Sequence, residues 1–210
     1  RIWGNCPRFW QGWTVRHMVE RPQFVAIKRI VQETPTIKTF YLDFEMNARP
    51  GQFAMIWLPG IDEKPFTLTA SGKGCAITVR CKGKFTKTMC WLKEGAKIGI
   101  RGPYGNGFEF EKVKRACIVA GGCGAAPIVM LAERLKENGT RVSMVLGAST
   151  GRECLFVERL KKTGKLYITT DDGSIGEKGF VTAVLEGLLK KEKFDCVFCC
   201  GPEPMMKAVF

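Results

Sequence analysis

Residues 116–134 read Ala-Cys-Ile-Val-Ala-Gly-Gly-Cys-Gly-Ala-Ala-Pro-Ile-Val-Met-Leu-Ala-Glu-Arg, and the rest of the chain is organised around this stretch. An apolar run of strand character stops at Gly121, and a helical pattern follows the glycine-rich turn. Gly122 and Gly124 lack a Cβ, so the backbone can turn tightly and a diphosphate can approach the amides. Pro127 suits the first helical turn, where the free N–H groups and the helix dipole attract an anion. The stretch therefore predicts a strand, a turn and a helix that bind a nucleotide diphosphate.

The same glycine pattern also occurs in strand-to-helix turns where glycine is needed for steric reasons alone. It departs from the common dinucleotide fingerprint Gly-x-Gly-x-x-Gly, because Pro127 follows Ala126 where the third glycine is expected. This departure indicates a different family of nicotinamide-binding proteins.

Composition limits the classes of protein to which the chain can belong. Its 210 residues are enough for two small domains with their own cores. No apolar run reaches the roughly 20 residues that span a membrane, so we expect no membrane span. Several of the ten cysteines lie in apolar runs, and we expect most to be reduced core thiols of a cytoplasmic protein. The net charge of +13 fits a solvated lysine-rich surface, anionic cofactors or an acidic partner, and without a recognised motif we expect no nucleic acid.

Two patterns of predicted secondary structure divide the sequence. Short strands without a long helix between them predict a six-stranded antiparallel β-barrel, at 24–31, 37–44, 52–58, 66–70, 76–81 and 97–100. Strands then alternate with helices, which predicts a parallel sheet with helices on both faces, the strands at 116–120, 142–146, 166–170 and 196–200 and the helices near 126–138, 153–162 and 180–190. We expect an unassigned leader at residues 1–22, a barrel domain at 23–112 and an α/β domain at 113–210. A helical pattern begins near Met205 and stops within about two turns, so we expect the polypeptide to continue beyond Phe210.

Six further stretches carry polar or glycine-rich motifs. In the barrel they are Lys64-Pro65-Phe66-Thr67, Thr78-Val79-Arg80 followed by Gly83-Lys84-Phe85-Thr86, and Gly102-Pro103-Tyr104-Gly105-Asn106-Gly107-Phe108. In the α/β domain they are Gly147-Ala148-Ser149-Thr150-Gly151-Arg152, Thr170-Asp171-Asp172-Gly173 and Cys200-Gly201-Pro202. In this order, these stretches resemble the ferredoxin-NADP reductase superfamily, and the resemblance covers nearly all of residues 23–210.

The resemblance implies that FAD lies against the barrel. Lys64 would stand near the phosphates, although Lys in place of the family's Arg loses the bidentate contact, and Pro65 belongs to the same flavin-lining stretch. Phe66 would offer an aromatic face to the flavin ring, and the Thr67 hydroxyl would reach flavin N5. The alternative is that Phe66 is a core residue of an ordinary strand.

The second barrel stretch is implied to hold the ribityl chain and diphosphate of FAD. Its candidate residues are Thr78, Val79, Arg80, Gly83, Phe85 and Thr86. Arg80 can meet a phosphate through its fork of donors, and Thr86 can act as a cap. Phe85 stands where the family usually has Gly, which changes the shape of the turn. The alternative is a strand that ends in a lysine-rich turn.

The α/β motifs are implied to bind NAD(P). The residues at the diphosphate are Gly121, Gly122, Gly124, Ala125 and Pro127. Ser149 and Arg152 can accept a 2′-phosphate, which favours NADP over NAD. The alternative is that Arg152 is only a solvated residue at a helix start. Asp172 belongs to a loop that either borders the nucleotide or forms only a turn and a helix cap.

Cys200, Gly201 and Pro202 are implied to lie beside the nicotinamide, with the sulfur against C4. Cys200 and Thr67 would then flank the hydride path between nicotinamide C4 and flavin N5. We expect Cys200 to position the ring and not to act as a nucleophile, because its apolar strand does not stabilise a thiolate. The cofactors carry the chemistry, so no acid–base pair is needed. We expect no protein ligands to a metal in this sequence.

Within the superfamily these stretches, together with Pro50-Gly51-Gln52-Phe53, most resemble the electron-transfer subunits of dihydroorotate dehydrogenase, in pyrimidine biosynthesis. The resemblance implies an FMN-containing catalytic subunit as partner and a [2Fe–2S] cluster held by C-x4-C-x2-C and one further Cys. That spacing is missing here, so we expect the cluster on a segment beyond Phe210. Alternatives are the small subunit of a sulfide dehydrogenase or of an NADH-dependent ferredoxin-NADP oxidoreductase, and, from another class, a basic binding module without cofactors.

Overall fold

The structure, a computed structural model, describes residues 21–210. The leader expected at 1–22 therefore lies, up to residue 20, outside the described residues. No helix in the described part is long and apolar enough to cross a lipid bilayer.

The first half of the described chain forms a closed antiparallel barrel. Its strands are β1 (Gln23–Thr34), β2 (Ile37–Leu42), β3 (Glu45–Met46), β4 (Phe53–Leu58), β5 (Asp62–Ala70), β6 (Gly72–Lys73), β7 (Ala76–Arg80) and β8 (Lys97–Tyr104). Six of them close the barrel in the order β1-β2-β7-β5-β4-β8, and β3 pairs with β6 as a separate ribbon. In β4 the alternate residues Ala54, Ile56 and Leu58 are buried, which is the period of two that the sequence shows. The predicted six-stranded barrel is confirmed.

A helix that the sequence analysis missed, α1 (Lys84–Trp91), follows β7. It buries Phe85 and Met89, four residues apart, against the barrel core. The Thr86 hydroxyl accepts a hydrogen bond from the backbone N–H of Gly83 at 3.0 Å, which caps the helix start. The segment expected to be a glycine turn is thus the first turn of a helix, in which Phe85 is a core residue.

A disulfide joins the two ends of this segment. Cys81 follows β7 and Cys90 lies in the last turn of α1, with their Cα atoms 6.2 Å apart. These two residues depart from the expectation of reduced thiols, whereas the other described cysteines are free. The bond fastens α1 to the end of β7.

The second half is a parallel sheet in the order β12-β11-β10-β9-β13. Its strands are β9 (Arg115–Gly121), β10 (Arg141–Ala148), β11 (Lys165–Thr170), β12 (Glu177–Lys178) and β13 (Cys196–Cys200), and its helices are α2 (Ala125–Glu137), α3 (Val157–Lys161), α4 (Val181–Lys191) and α5 (Glu203–Val209). Ile118 packs with α2 and α3 on one face, and Val119 packs with α4 and α5 on the other. This confirms the predicted parallel sheet with helices on both faces.

The helix predicted near 153–162 is shorter than expected. A 3₁₀ turn covers Gly151–Glu153, and α3 begins only at Val157 because Phe156 adopts a left-handed φ of 57°. Residues 154–156, between the 3₁₀ turn and α3, are not helical.

The two halves are joined by polar and apolar contacts. The Arg159 guanidinium of α3 donates to both carboxylate oxygens of Glu133 at 2.9 Å and to the carbonyl oxygen of Thr69 in β5 at 3.0 Å. Ile37, in the barrel, is buried in the core of the α/β half. These contacts hold the barrel beside the carboxyl edge of the parallel sheet.

Candidate functional site

A cavity of about 950 Å³ lies between the barrel and the carboxyl ends of the parallel strands. Open α/β sheets bind ligands at this edge, where the strands end in loops. Residues that line the cavity include Thr34, Thr36, Ile37, Thr67 and Arg80 from the barrel and Gly121, Gly122, Gly124, Pro127, Gly147, Ser149, Glu153, Asp171, Phe180, Cys200, Gly201 and Pro202 from the sheet domain. A single space therefore reaches from the barrel wall to the loops of the sheet.

The glycine turn after β9 is open toward this cavity. Gly122 has a φ of +52°, and a Cβ added to it would have no described atom within 4 Å. Gly124 has an ordinary helical φ of −62°, but an added Cβ would lie 2.1 Å from the carbonyl oxygen of Cys200. Gly122 thus leaves room for a ligand, whereas Gly124 is required by the close approach of the β13 backbone. The second role was not foreseen from the sequence.

The end of β13 forms the neighbouring wall. Cys200, Gly201 and Pro202, which the resemblance placed beside a nicotinamide, all line the cavity. A Cβ on Gly201 would lie 2.5 Å from the terminal methyl of Met205, so glycine lets the chain pass closely over α5. Burial raises the pKa of the Cys200 thiol, which keeps the sulfur protonated and neutral at neutral pH.

The ends of β10 and β11 are more acidic than expected. Ser149 and Glu153 line the cavity, while Arg152 is exposed and lies outside its wall. Asp171 also lines it, whereas Asp172 turns into its own loop and accepts hydrogen bonds from the Ser174 hydroxyl at 2.6 Å and the Ser174 N–H at 2.9 Å. These bonds lower the pKa of the Asp172 carboxyl.

The barrel wall contributes Thr67 and Arg80. Arg80 is exposed at the end of β7, and its guanidinium has no hydrogen bond or ion pair to any of residues 21–210. A cation without a partner at the mouth of a large cavity is suited to an anionic ligand.

Several predicted barrel residues lie away from the cavity. The half-buried Phe66 ring packs on the Phe85 ring, with centroids 5.9 Å apart, against the barrel core. Lys64 pairs with Asp62 at 2.6 Å, a contact that lowers the pKa of the aspartate. The others outside the lining are Pro65, Thr78, Val79, Gly83 and Thr86 in the barrel and Ala125 at the start of α2.

The cavity residues that the sequence analysis missed include Glu153, Asp171 and Phe180. Glu153 and Asp171 directly neighbour Arg152 and Asp172, which the sequence analysis chose. No pattern in the sequence distinguished Phe180 from a core residue. Among residues 21–210, no group of three or more His, Cys, Asp or Glu side chains is placed to hold a metal ion.

Comparisons with known proteins agree with this geometry. Residues 118–210 match the oxidoreductase NAD-binding domain family. The structure of an NADH-dependent reduced ferredoxin-NADP oxidoreductase superposes with a TM-score of 0.80 and 31% identity, over 90% of this chain and 71% of that chain. The cytochrome b5 reductase domain of Ulva prolifera nitrate reductase shares the fold, with a TM-score of 0.74 and 19% identity over 90% of both chains. The fold and the cavity define an NAD-binding oxidoreductase of the ferredoxin-reductase-like class.

Relatives in sequence narrow this class to one family. A protein of Methanocaldococcus jannaschii is 48% identical over 191 residues, which are 91% of this chain and 73% of that protein. A protein of Methanocella arvoryzae is 43% identical, over 90% of this chain and 72% of that protein. Both are named "Probable dihydroorotate dehydrogenase B (NAD(+)), electron transfer subunit". The chain belongs to this family of dihydroorotate dehydrogenase B electron transfer subunits, as the resemblance in its motifs predicted.

Proposed function

We propose that this chain passes electrons between NAD and a catalytic partner subunit through a bound FAD, as the electron transfer subunit of a dihydroorotate dehydrogenase. The barrel, residues 23–112, would hold FAD, and residues 113–210 would hold NAD. The observation that carries the proposal is the shared cavity, because Thr67 and Arg80 of the barrel line the same space as Gly122 and Cys200 of the sheet domain. Two dinucleotides bound from opposite walls would meet in it.

The barrel wall fits an FAD diphosphate. Arg80, at the end of β7, supplies a cation without a partner among the described residues. When bound, FAD supplies a two-electron acceptor that can release electrons singly. The half-buried Phe66 ring packs on Phe85 and lies outside the cavity lining, so we assign no ring-stacking role to it. Thr67 is the residue of its motif that can donate a hydrogen bond into the cavity.

The sheet wall fits NAD better than NADP. The carboxylates of Glu153 and Asp171 lie on the cavity wall where the adenosine ribose is expected, and they can accept hydrogen bonds from ribose hydroxyls. The same carboxylates would repel a 2′-phosphate, and Arg152, the basis for expecting NADP, is outside the wall. The two relatives described above also carry NAD(+) in their names.

Cys200 and Gly122 would position the rest of the nucleotide. The open space at Gly122 lets a diphosphate approach the N-terminus of α2. Cys200 is neutral and half-buried, so it can contact a nicotinamide ring without adding a charge. Its role is to orient the ring toward the barrel wall, and we assign it no covalent step.

The proposed partner is an FMN-containing subunit that oxidises dihydroorotate. The net charge of +13 favours an acidic docking surface on that partner. We also propose that a [2Fe–2S] cluster relays the electrons. The described residues offer no group of three or more ligands, so the cluster's cysteines would come from outside them.

A second candidate is the small subunit of an NADH-dependent ferredoxin-NADP oxidoreductase. The superposition at 31% identity with such a protein, whose structure was used to study flavin-based electron bifurcation, favours it specifically. Assembly with a dihydroorotate-oxidising subunit, followed by dihydroorotate-dependent reduction of NAD, would decide for the first candidate.

The test is reduction of bound flavin by NADH in the purified full chain. We expect a yellow protein whose flavin absorbance bleaches when NADH is added without oxygen. Arg80→Ala should lose most of its FAD, about ten-fold in affinity, because a charge-assisted contact to phosphate is removed. Arg141→Ala removes an exposed arginine at the opposite edge of the sheet and should retain FAD. A colourless wild-type protein that cannot be reconstituted with FAD would refute the proposal.

A further inference from the structure

A second concave surface lies at the amino edge of the parallel sheet, opposite the cavity described above. It is a trough of about 780 Å³, lined by the first residues of β9, β10 and β11 and by residues at the ends of α2 and α3. Among residues 21–210, Glu192 is the one carboxylate in its wall. The cations of this basic trough are Arg115, Lys136, Arg141, Lys161, Lys162 and Lys165. Such an excess of positive charge is suited to an anion.

Two of these cations have an ordinary structural explanation. Lys136 and Lys161 lie in the last turns of α2 and α3, where the helix dipole stabilises a positive charge. Lys161 is also paired with Glu158 at 2.8 Å. The cations at the strand starts need another explanation, because strands have only small net dipoles.

Three neighbouring parallel strands each begin with a cation. These residues are Arg115 in β9, Arg141 in β10 and Lys165 in β11. The register pairs Arg141 with Arg115, so the two side chains lie side by side on one face of the sheet. Lys165 is paired with Ser143, two residues after Arg141, and shares that face. Like charges directly opposite one another destabilise a sheet, and local conflicts of this kind occur at functional sites.

Nearby carboxylates neutralise this row of cations only in part. The Arg115 guanidinium lies 3.4 Å from Glu192, and its buried Nε has no hydrogen-bond partner among the described residues. The side chains of Arg141 and Lys162 are exposed and form no hydrogen bond or ion pair with any of residues 21–210. The Asp195 carboxylate accepts hydrogen bonds from two backbone N–H groups at the start of β9. Several charged donors are therefore available to an anionic ligand.

The lining and its dimensions favour a chain of phosphates. The hydroxyls of Thr140 and Thr163 donate to backbone carbonyl oxygens at 2.7 and 2.8 Å, which leaves the cations as the main donors. Neighbouring strands are about 4.8 Å apart, so the three strand starts form a row roughly 10 Å long. Linked phosphoryl groups place several negative charges along a short length, and arginine binds phosphate oxygens through two parallel donors.

We propose that the basic trough binds an oligophosphate, a chain of linked phosphoryl groups, at a site separate from the nucleotide cavity. Arg141 would contact the chain from the sheet and Lys162 from the end of α3. None of the lining residues within 21–210 is aromatic, so the trough recognises the phosphate chain and not an attached base. Inorganic tripolyphosphate and a nucleoside triphosphate carry the same chain.

The test is titration calorimetry of the full chain with sodium tripolyphosphate at low salt. FAD and saturating NAD are present, so that the diphosphate positions of the proposed function are filled. The double variant Arg141→Ala/Lys162→Ala should bind at least about ten-fold more weakly, because two charge-assisted contacts are lost. The matched control, Lys28→Ala/Arg152→Ala, removes the same net charge from exposed positions outside the trough and should bind as wild type does. No binding by wild type, or equal binding by the two double variants, would overturn the inference.

Three other ligands identify what the trough recognises. ATP should bind with an affinity similar to that of tripolyphosphate, and much tighter binding would show recognition of a base and overturn the inference. Orthophosphate should bind far more weakly, since it reaches only part of the row, and equal affinity would contradict recognition of a chain. Polyglutamate, a probe for an acidic protein partner, should not displace tripolyphosphate, and displacement at low concentration would overturn the choice of ligand.

Arg141→Glu separates a binding role from a structural one. It turns the like-charged neighbours into an opposite-charge pair with Arg115, so Tm without ligand should rise by about 2 °C. The same variant should lose tripolyphosphate binding. An unchanged or lower Tm would contradict the like-charge explanation, and retained binding would overturn the site.

Discussion

Gly124→Ala gives the sharpest test of how the two walls of the sheet domain fit together. The backbone of Gly124 is helical, so alanine is compatible with its φ and ψ. The added Cβ, however, would lie 2.1 Å from the carbonyl oxygen of Cys200, 2.5 Å from its carbonyl carbon and 2.7 Å from the nitrogen of Gly201. All three are backbone atoms, which cannot move aside as a flexible side chain can.

Ordinary contact begins near 3.4 Å, so the end of β13 or the glycine turn must retreat by about an ångström. Overpacking of this kind costs about 2 kcal/mol of the free energy of unfolding, which lowers Tm by roughly 4–8 °C in a chain of this size. A displacement of about an ångström beside the reacting ring should also slow flavin reduction by NADH about a hundred-fold.

Thermal unfolding, flavin content and single-turnover reduction by NADH check these effects. Gly187→Ala is the matched control, because Gly187 lies within α4 and an added Cβ would meet no described atom within 4 Å. That change should stabilise the protein by about 0.5–1 kcal/mol. Flavin content of Gly124→Ala should stay near wild type, since Arg80 is untouched. Wild-type Tm and rate in Gly124→Ala would refute the argument from backbone contact.

Two further changes test the wall of the cavity at Cys200 and the contact between the two domains. Cys200→Ala should slow reduction of the flavin by NADH about ten-fold and leave FAD bound, because it alters the nicotinamide end of the cavity only; stopped-flow traces with an unaltered rate would contradict its place there. Arg159→Lys should lower the free energy of unfolding by about 1 kcal/mol, because lysine cannot make the paired bonds to Glu133 and also reach the carbonyl oxygen of Thr69. An unchanged denaturation midpoint would show that this contact contributes nothing.

The architecture could be predicted because it depends on patterns that repeat. Alternation of strands and helices after Lys112 fixes the parallel sheet, and the glycine turn marks the edge where ligands bind. The helix α1 was missed because its eight residues show little more than two turns of the helical period. The role of Gly124 was missed because its neighbour, Cys200, is far away in the sequence.

Within the motifs, the sequence located the segment but not always the residue. Adjacent residues of a strand point to opposite faces, so only one of Phe66 and Thr67 can face the cavity, and Thr67 is the one that does. Which face is inward depends on the pairing of β5 with β4, which a motif does not record. Asp171 lines the cavity and its neighbour Asp172 does not, a difference of one residue set by the turn that Ser174 closes.

The burial of Ile37 has a consequence for attempts to engineer the protein. This barrel residue is 5% exposed and belongs to the same core as Ile128 and Leu131 of α2. A fragment that held only the α/β half would lack the Ile37 side chain and leave its place in the core empty. A chimera with a foreign barrel would need an apolar residue in the same place. The two halves therefore cannot readily be exchanged with those of other proteins, even though each has the fold of a separate domain.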